Sequence, residues 1–302
     1  MGKDQMHMVM VFVDGFGLGG QDDNPIVAAK TPVLDELLGG HFLWGKRCII
    51  HNKTVLRALD PTLGVSGTPQ SATGQTTLWT GINAAKALGF HLRAYPNPFL
   101  AEIIADQSLF KQLAKAGKTV MFANTFTEAY DQAVGTGKRK HTASTLSALA
   151  GGVRLRRVPD LREGLAVYQD MTNEILVQLG EKVQVISSFE AGQHLGNLAL
   201  NYDFTLYEFF QTDTIGHKQR WDEAIGLVER LDGFIGGLLS VIEGQEDVAW
   251  ILTSDHGNIE DFSVAGHTTN PVPALCWSNQ RIPWPEWETL EEVTPGIIKL
   301  LT

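Results

Sequence analysis

Cysteine is scarce in this chain of 302 residues: only Cys48 and Cys276 occur, far apart. A disulfide framework and a thiolate metal site are therefore not expected, and any metal must be held by oxygen and nitrogen. Positive charge is also short, with 24 Lys and Arg against 34 Asp and Glu and a formal net charge of −10. That balance argues against nucleic acid or an anionic membrane as partner, because a phosphate backbone demands a basic surface. No apolar run approaches membrane-spanning length, and no repeat or low-complexity tract occurs. The start, "MGKDQMHMVMVFVDGFG", passes almost directly into a strand-like run with no cleavage-site pattern. A cytoplasmic enzyme is the expectation. At 43% apolar and 19% charged residues the composition is that of a globular protein with a full core. The length suits one large α/β domain, or such a core carrying a smaller insert.

What is present is a set of apolar runs that stop at potential ligands. "DVAWILTSDHGNIED", residues 247–261, has the β-branched and aromatic content of a strand buried on both faces, and it ends in Asp255 and His256. "HMVMVFVDGFGLGG" ends in Asp14. "YDFTLYEFFQTDTIGH" ends in Asp213, with His217 four residues on. Between the last two of these motifs in the chain, "WDEAIGLVERLDGFIGGLLSVI" repeats its apolar residues at helical spacing. Strand, helix, strand implies a parallel pair with the ligands at one edge, the edge at which open α/β sheets bind their ligands.

Two further segments contribute. "GTPQSATGQTTLWTGINAAKAL", residues 67–88, places Ser71 and Thr73 in a small-residue turn ahead of a helix, where free N–H groups favour an anion. "AGHTTNPVPAL", residues 265–275, offers His267 in a segment too broken by proline to be helical. "LFKQLAKAGKTVMFAN" reads as helix then strand of the main sheet. "KRKH", residues 138–141, is either a solvated basic face or a guide for an anionic substrate. An insert is expected over roughly residues 125–190, with 1–124 and 191–302 forming the core.

Each residue alone has a dull explanation as a turn former or cap. Three acids and three histidines together do not. Adjacent residues leaving a strand point to opposite sides, so Asp255 and His256 can face different metals only if two ions sit close together, as in two-metal hydrolytic sites. Asp213 and His217, one turn apart, can converge on one ion. Carboxylate and imidazole without thiolate suit Zn or Mn. "GFGLGG", residues 15–20, also matches a dinucleotide-binding loop, with Asp35 at the offset of a ribose-binding acid. Asp14 before it and Asp22, Asp23 and Pro25 after it oppose that reading.

"TSDHGNIED" with "GHTTNPVPAL", preceded by "TDTIGH", resembles the alkaline phosphatase superfamily, and within it the metal-binding core of the cofactor-independent phosphoglycerate mutases. The resemblance implies a three-layer α/β sandwich with a mostly parallel central sheet, helices on both faces and a small cap. It implies that Asp213, His217 and His267 hold one divalent ion and that Asp14, Asp255 and His256 hold a second. The nucleophile falls on Ser71, itself on the second metal, with Gly74 and Gly81 in register. The sequence departs from the mutases in having Gln75 where they have a histidine, and in lacking room for the large domain they insert after the nucleophile. The activity expected is therefore hydrolysis of a small phosphorylated substrate through a Ser71 phospho-enzyme. A phosphomutase is the alternative; a sulfatase, a phosphodiesterase, a dinucleotide-binding protein and a non-catalytic metal-binding protein are remoter ones.

Overall fold

A computed structural model describes residues 6–40 and 48–302; the first five residues of the segment read for a targeting signal lie outside them. Its strands are β1 (His7–Val13), β2 (Cys48–His51), β3 (Thr54–Leu59), β4 (Val120–Phe122), β5 (Thr125–Phe126), β6 (Arg156–Arg157), β7 (Phe204–Phe209), β8 (Val248–Thr253) and β9 (Val272–Ser278). Seven form one sheet in the order β2-β3-β9-β8-β1-β7-β4. From β8 to β4 the neighbours are parallel, and from β8 to β2 they are antiparallel. The expected α/β fold is thus present, with an antiparallel wing on its parallel half.

Alternation along β1 shows why the sheet is the middle of three layers. Val9, Val11 and Val13 enter one apolar core, while Met8, Met10 and Phe12 enter the other. Helices Ser188–Ala199 and Trp221–Ile242 cover the first face. The second of these buries Ala224, Leu227, Val228, Leu231, Phe234, Ile235, Leu238 and Ile242, a stripe at the helical period. Helices Leu109–Lys115, Ala143–Ala150 and Val293–Leu301 lie on the other face.

β7 and β8 are parallel and joined by the long helix, as the sequence pattern predicts, but they are not neighbours. β1 lies between them, with Val13 opposite Phe209 and Phe12 opposite Thr253. A 22-residue helix is long enough to carry the chain past an occupied strand position. The consequence is that three strands from the two ends of the chain finish side by side at one edge.

Residues 125–190 hold the two-stranded β5–β6 pair and a separate small cluster of Val158, Leu161, Ala166, Tyr168 and Leu176. Helix Ala143–Ala150 is different: it packs on helices Ser71–Thr80, Pro98–Gln107 and Leu109–Lys115. Its Ala143 and Ala148 belong to the main core. Among the described residues no helix is long and apolar enough to cross a membrane.

Candidate metal centre

Asp14, Asp213 and Asp255 come just after β1, β7 and β8, so the sheet delivers them to one place. Cross-links fix the loops they occupy. Thr212 Oγ1 donates to the Asp14 carbonyl at 2.5 Å, and Phe16 N donates to Ser254 Oγ at 2.9 Å. Asn258 Nδ2 donates to Asp213 Oδ1 at 2.7 Å. The expected alternation of Asp255 and His256 does not operate, because β8 ends at Thr253. Both side chains turn to one side, with His256 Nε2 3.5 Å from Asp255 Oδ2 and 3.3 Å from Asp14 Oδ1.

Ser71 is the first residue of helix Ser71–Thr80, not part of a turn before it. Its Oγ lies 2.9 Å from His256 Nε2. Helical geometry also separates the two candidate hydroxyls. Thr73 is fully buried, donates to the Gln70 carbonyl and accepts from Leu92 N. Gly74 lets the helix come this close: a Cβ there would stand 2.8 Å from the Asp255 carbonyl oxygen. Gln75 Nε2 donates to Asp14 Oδ2 at 3.1 Å, leaving Oδ1 free for the centre.

On the other side, His267 Nε2 lies 3.0 Å from His217 Nε2 and 3.3 Å from Asp213 Oδ1. His267 Nδ1 donates to the Pro69 carbonyl at 2.8 Å. Such a second bond fixes the tautomer that leaves Nε2 bare for a metal. The imidazoles of His256 and His267 stack with centroids 3.7 Å apart. Ligand atoms of Asp213, His217 and His267 all lie within 4.8 Å of one another, and so do those of Asp14, Asp213 and His256. Asp213 therefore reaches both groups, where the expected partition gave it to one.

The electrostatics are those of a cage built for cations. Asp255 is fully buried, and neither of its carboxylate oxygens has a hydrogen bond; Asp14 Oδ1 also lacks one. Burial pushes the Asp255 carboxyl well above its ordinary range, and the charge of Asp14 adds to this. Burial alone would lower His256, but Asp255 and Asp14 outweigh it and hold the imidazole at about 10. Burial also acts to raise Asp213, yet the His267 hydrogen bond, the His256 charge and Asn258 together hold it below the usual carboxylate range. Buried carboxylate oxygens without hydrogen bonds, clustered with imidazoles, fit divalent cations.

Two residues escaped the sequence reading. Glu260 is fully buried and accepts from Gly17 N, Asn258 N, Thr268 Oγ1 and Asn270 Nδ2. It ties together the loops that carry Asp14, Asp255 and His267. It also explains "GFGLGG": a Cβ on Gly17 would stand 2.5 Å from the Glu260 carboxyl, and no helix opens at these glycines. Asp35 sits in helix Pro32–Leu38 and accepts from Thr31 Oγ1. Gly17 thus has a packing role that agrees with setting the dinucleotide reading aside. The second residue is Glu208, in β7, which accepts from Ser144 Oγ at 2.6 Å. Its carboxyl is pushed up to about 7, first by burial and then by Asp14, against the lowering effect of Ser144 and Arg139.

Two cavities flank Ser71. A groove of about 560 Å³ carries Arg93, Asp213, His217 and His267. A cavity of about 350 Å³ runs from Asp14 and Ser71 past Glu208 to Arg139. Of the "KRKH" stretch, Arg139 lines this cavity.

Comparison with known proteins agrees with the fold. A solved protein from Pyrococcus horikoshii superposes with a TM-score of 0.62 at 15% identity, covering 98% of this chain and 97% of that one. The alkaline phosphatase of the Antarctic bacterium TAB5 superposes at 0.55 and 12% identity, covering 99% of each chain. In sequence, the 2,3-bisphosphoglycerate-independent phosphoglycerate mutase 2 of Methanosarcina barkeri is 32% identical over 107 residues, 33% of this chain. The match spans only about a fifth of that relative's length (20%). The model of the metalloenzyme superfamily matches residues 6–302. With the strand-edge carboxylates and histidines in place across that whole span, the chain belongs to the metalloenzyme superfamily.

Proposed function

We propose that this protein is a two-metal phosphohydrolase that works through a phosphoserine at Ser71. The observation that carries the reading is the position of Ser71 Oγ, 2.9 Å from His256 Nε2, beside the unpartnered oxygens of Asp14 and Asp255. Asp213, His217 and His267 would hold one ion, and Asp14, Asp255, His256 and Ser71 the other, with Asp213 in reach of both. Mn or Zn suits this donor set. When bound, the ions supply positive charge that lowers the pKa of a hydroxyl and offsets charge on a transferring phosphoryl group.

The protein's own groups do the rest. First-turn N–H groups of helix Ser71–Thr80 have no intrahelical acceptor and present their positive ends to an incoming phosphate. Arg93, on the groove wall, adds a cation in an acidic protein. Ser71 Oγ gives its proton to water and attacks phosphorus; the Oγ–P bond forms as the bond to the leaving oxygen breaks, and that oxygen takes a proton from water. Water then attacks the phosphoserine, the Oγ–P bond breaks, and Ser71 regains its proton as phosphate departs.

The match to phosphoglycerate mutases over 107 residues favours a second reading, phosphoryl return to the same organic group. A mutase must keep the dephosphorylated intermediate and the phospho-enzyme together, away from water. The short segment available here, and Gln75 engaged with Asp14, favour hydrolysis. A panel of phosphomonoesters, phosphodiesters and sulfate esters, assayed with Mn or Zn, tests this. Phosphate release from monoesters is expected, with acid-quenched label on Ser71. Isomerised ester without free phosphate would install the mutase, and label on Thr73 alone would overturn the nucleophile.

A further inference from the structure

The cavity of about 350 Å³ beside Ser71 is far larger than a phosphoryl group requires. Cavities of roughly 300–1,000 Å³ enclose drug-sized ligands, so a three-carbon ester would leave most of this one to water. Away from the carboxylates part of its wall is aromatic. Tyr95, Phe126, Tyr130, Tyr168 and Phe210 line it together with Arg139. The Arg139 guanidinium lies 4.9 Å from the Tyr130 ring centroid, and Phe126 packs 4.8 Å from that same ring. The Tyr130 hydroxyl is fixed by His141 Nδ1 at 2.8 Å, so this wall is organised without a ligand. The Arg139 backbone N–H donates to the Ala133 carbonyl, and among the described residues its guanidinium has no hydrogen bond or ion pair. A guanidinium stacked on a ring with its N–H edge free suits a planar group that carries hydrogen-bond acceptors.

An independent feature borders the cavity at Ala94. Ala94 is held at φ 59°, in the left-handed region, which costs a residue with a Cβ roughly 1–2 kcal/mol. The turn sends its neighbours to different places. Arg93 lines the groove that carries Asp213, His217 and His267, Tyr95 lines the aromatic cavity, and Ala94 borders both. The strained residue thus divides a cationic subsite for the phosphoryl group from an aromatic subsite for the organic part.

We propose that the aromatic cavity is a nucleoside subsite, and that the substrate is a nucleoside monophosphate whose base lies against the Tyr130–Arg139 wall. For its chemistry the proposal rests on the phosphohydrolase reading; for binding it does not. The experiment therefore has two arms on the intact protein: calorimetric binding of adenosine and of glycerol with chelator present, and hydrolysis of adenosine monophosphate and glycerol phosphate by the Mn-loaded protein. Adenosine should bind the chelated protein and glycerol should not. Tyr130→Leu and Arg139→Ala, checked for unchanged circular dichroism, should each weaken adenosine by about tenfold or more, the size of a lost base–aromatic contact. Both should also lower the ratio of kcat/KM for adenosine monophosphate to that for glycerol phosphate. Absence of adenosine binding, or binding unaffected by both variants, would overturn the subsite even if both esters are hydrolysed. Adenosine binding with no ester hydrolysed would reject the phosphohydrolase reading and keep the subsite.

Discussion

The two halves of the metal centre differ in how they are built. Asp255 and His256 have fully buried side chains, while the His217 side chain is 50% exposed and stands on a groove wall. The buried half holds its groups in place at strand ends before any cation arrives, and it bears the electrostatic strain of doing so. The open half takes ligands from a helix and a proline-rich loop and meets solvent through His217. On the proposed reading one half would keep its ion and activate Ser71, and the other would exchange ion, substrate and product.

The sharpest way to break this comparison is Ser71→Ala. Loss of a nucleophile should lower kcat by about four orders of magnitude or more, while elemental analysis still finds both ions on the reconstituted protein. Retained turnover would remove Ser71 from the reaction. Next come the ligands themselves. His217→Ala should weaken one ion with little change in the melting temperature of the chelated protein. Asp255→Asn should abolish the other ion. Equal losses of both ions in both variants would mean the halves are not separable.

Glu208 sharpens the comparison through pH. Its folded-state pKa is raised from 4.5 to about 7, so the folded chain binds more protons than the unfolded one between those values. Its contribution is fully present below pH 4.5 and is lost as pH rises through 7, a change of about 3 kcal/mol. Thermal unfolding of the chelated protein should show this decline between pH 5 and 8, and Glu208→Gln should flatten it. An unchanged slope would show that Glu208 is ionised throughout. The smallest effect should come from Lys138 and Lys140, which are exposed like Arg139 but do not line the cavity with it. Alanine at both lysines should change KM by no more than about twofold at low salt. A large, salt-sensitive rise in KM would give the basic stretch the guiding role.

The sequence shows the centre better than its supports. Asp14, Asp213–His217, Asp255–His256 and His267 stand out because each breaks an apolar or proline-rich run, and a buried parallel strand cannot hide a charge at its end. Glu208 left a signal too: a lone carboxylate inside the apolar "FTLYEFF". Glu260 left none, since an acid after "DHGN" reads as a solvated turn until Gly17, Asn258 and Thr268 are seen around it. The parallel half of the sheet follows from strand–helix–strand spacing. The antiparallel wing and the placing of β1 between β7 and β8 do not, because strand order depends on packing between distant segments.

That placing of β1 bears on when the centre can exist. The Ser71–His256 contact spans 185 positions, the Thr212–Asp14 bond 198 and the Phe16–Ser254 bond 238. Chain entropy has to be overcome across almost the whole sequence before these groups meet, which makes such topologies slow to fold. No nascent or half-folded form carries the cage, so cation affinity should rise only with the last cooperative step. Bound ions would then slow unfolding without speeding folding.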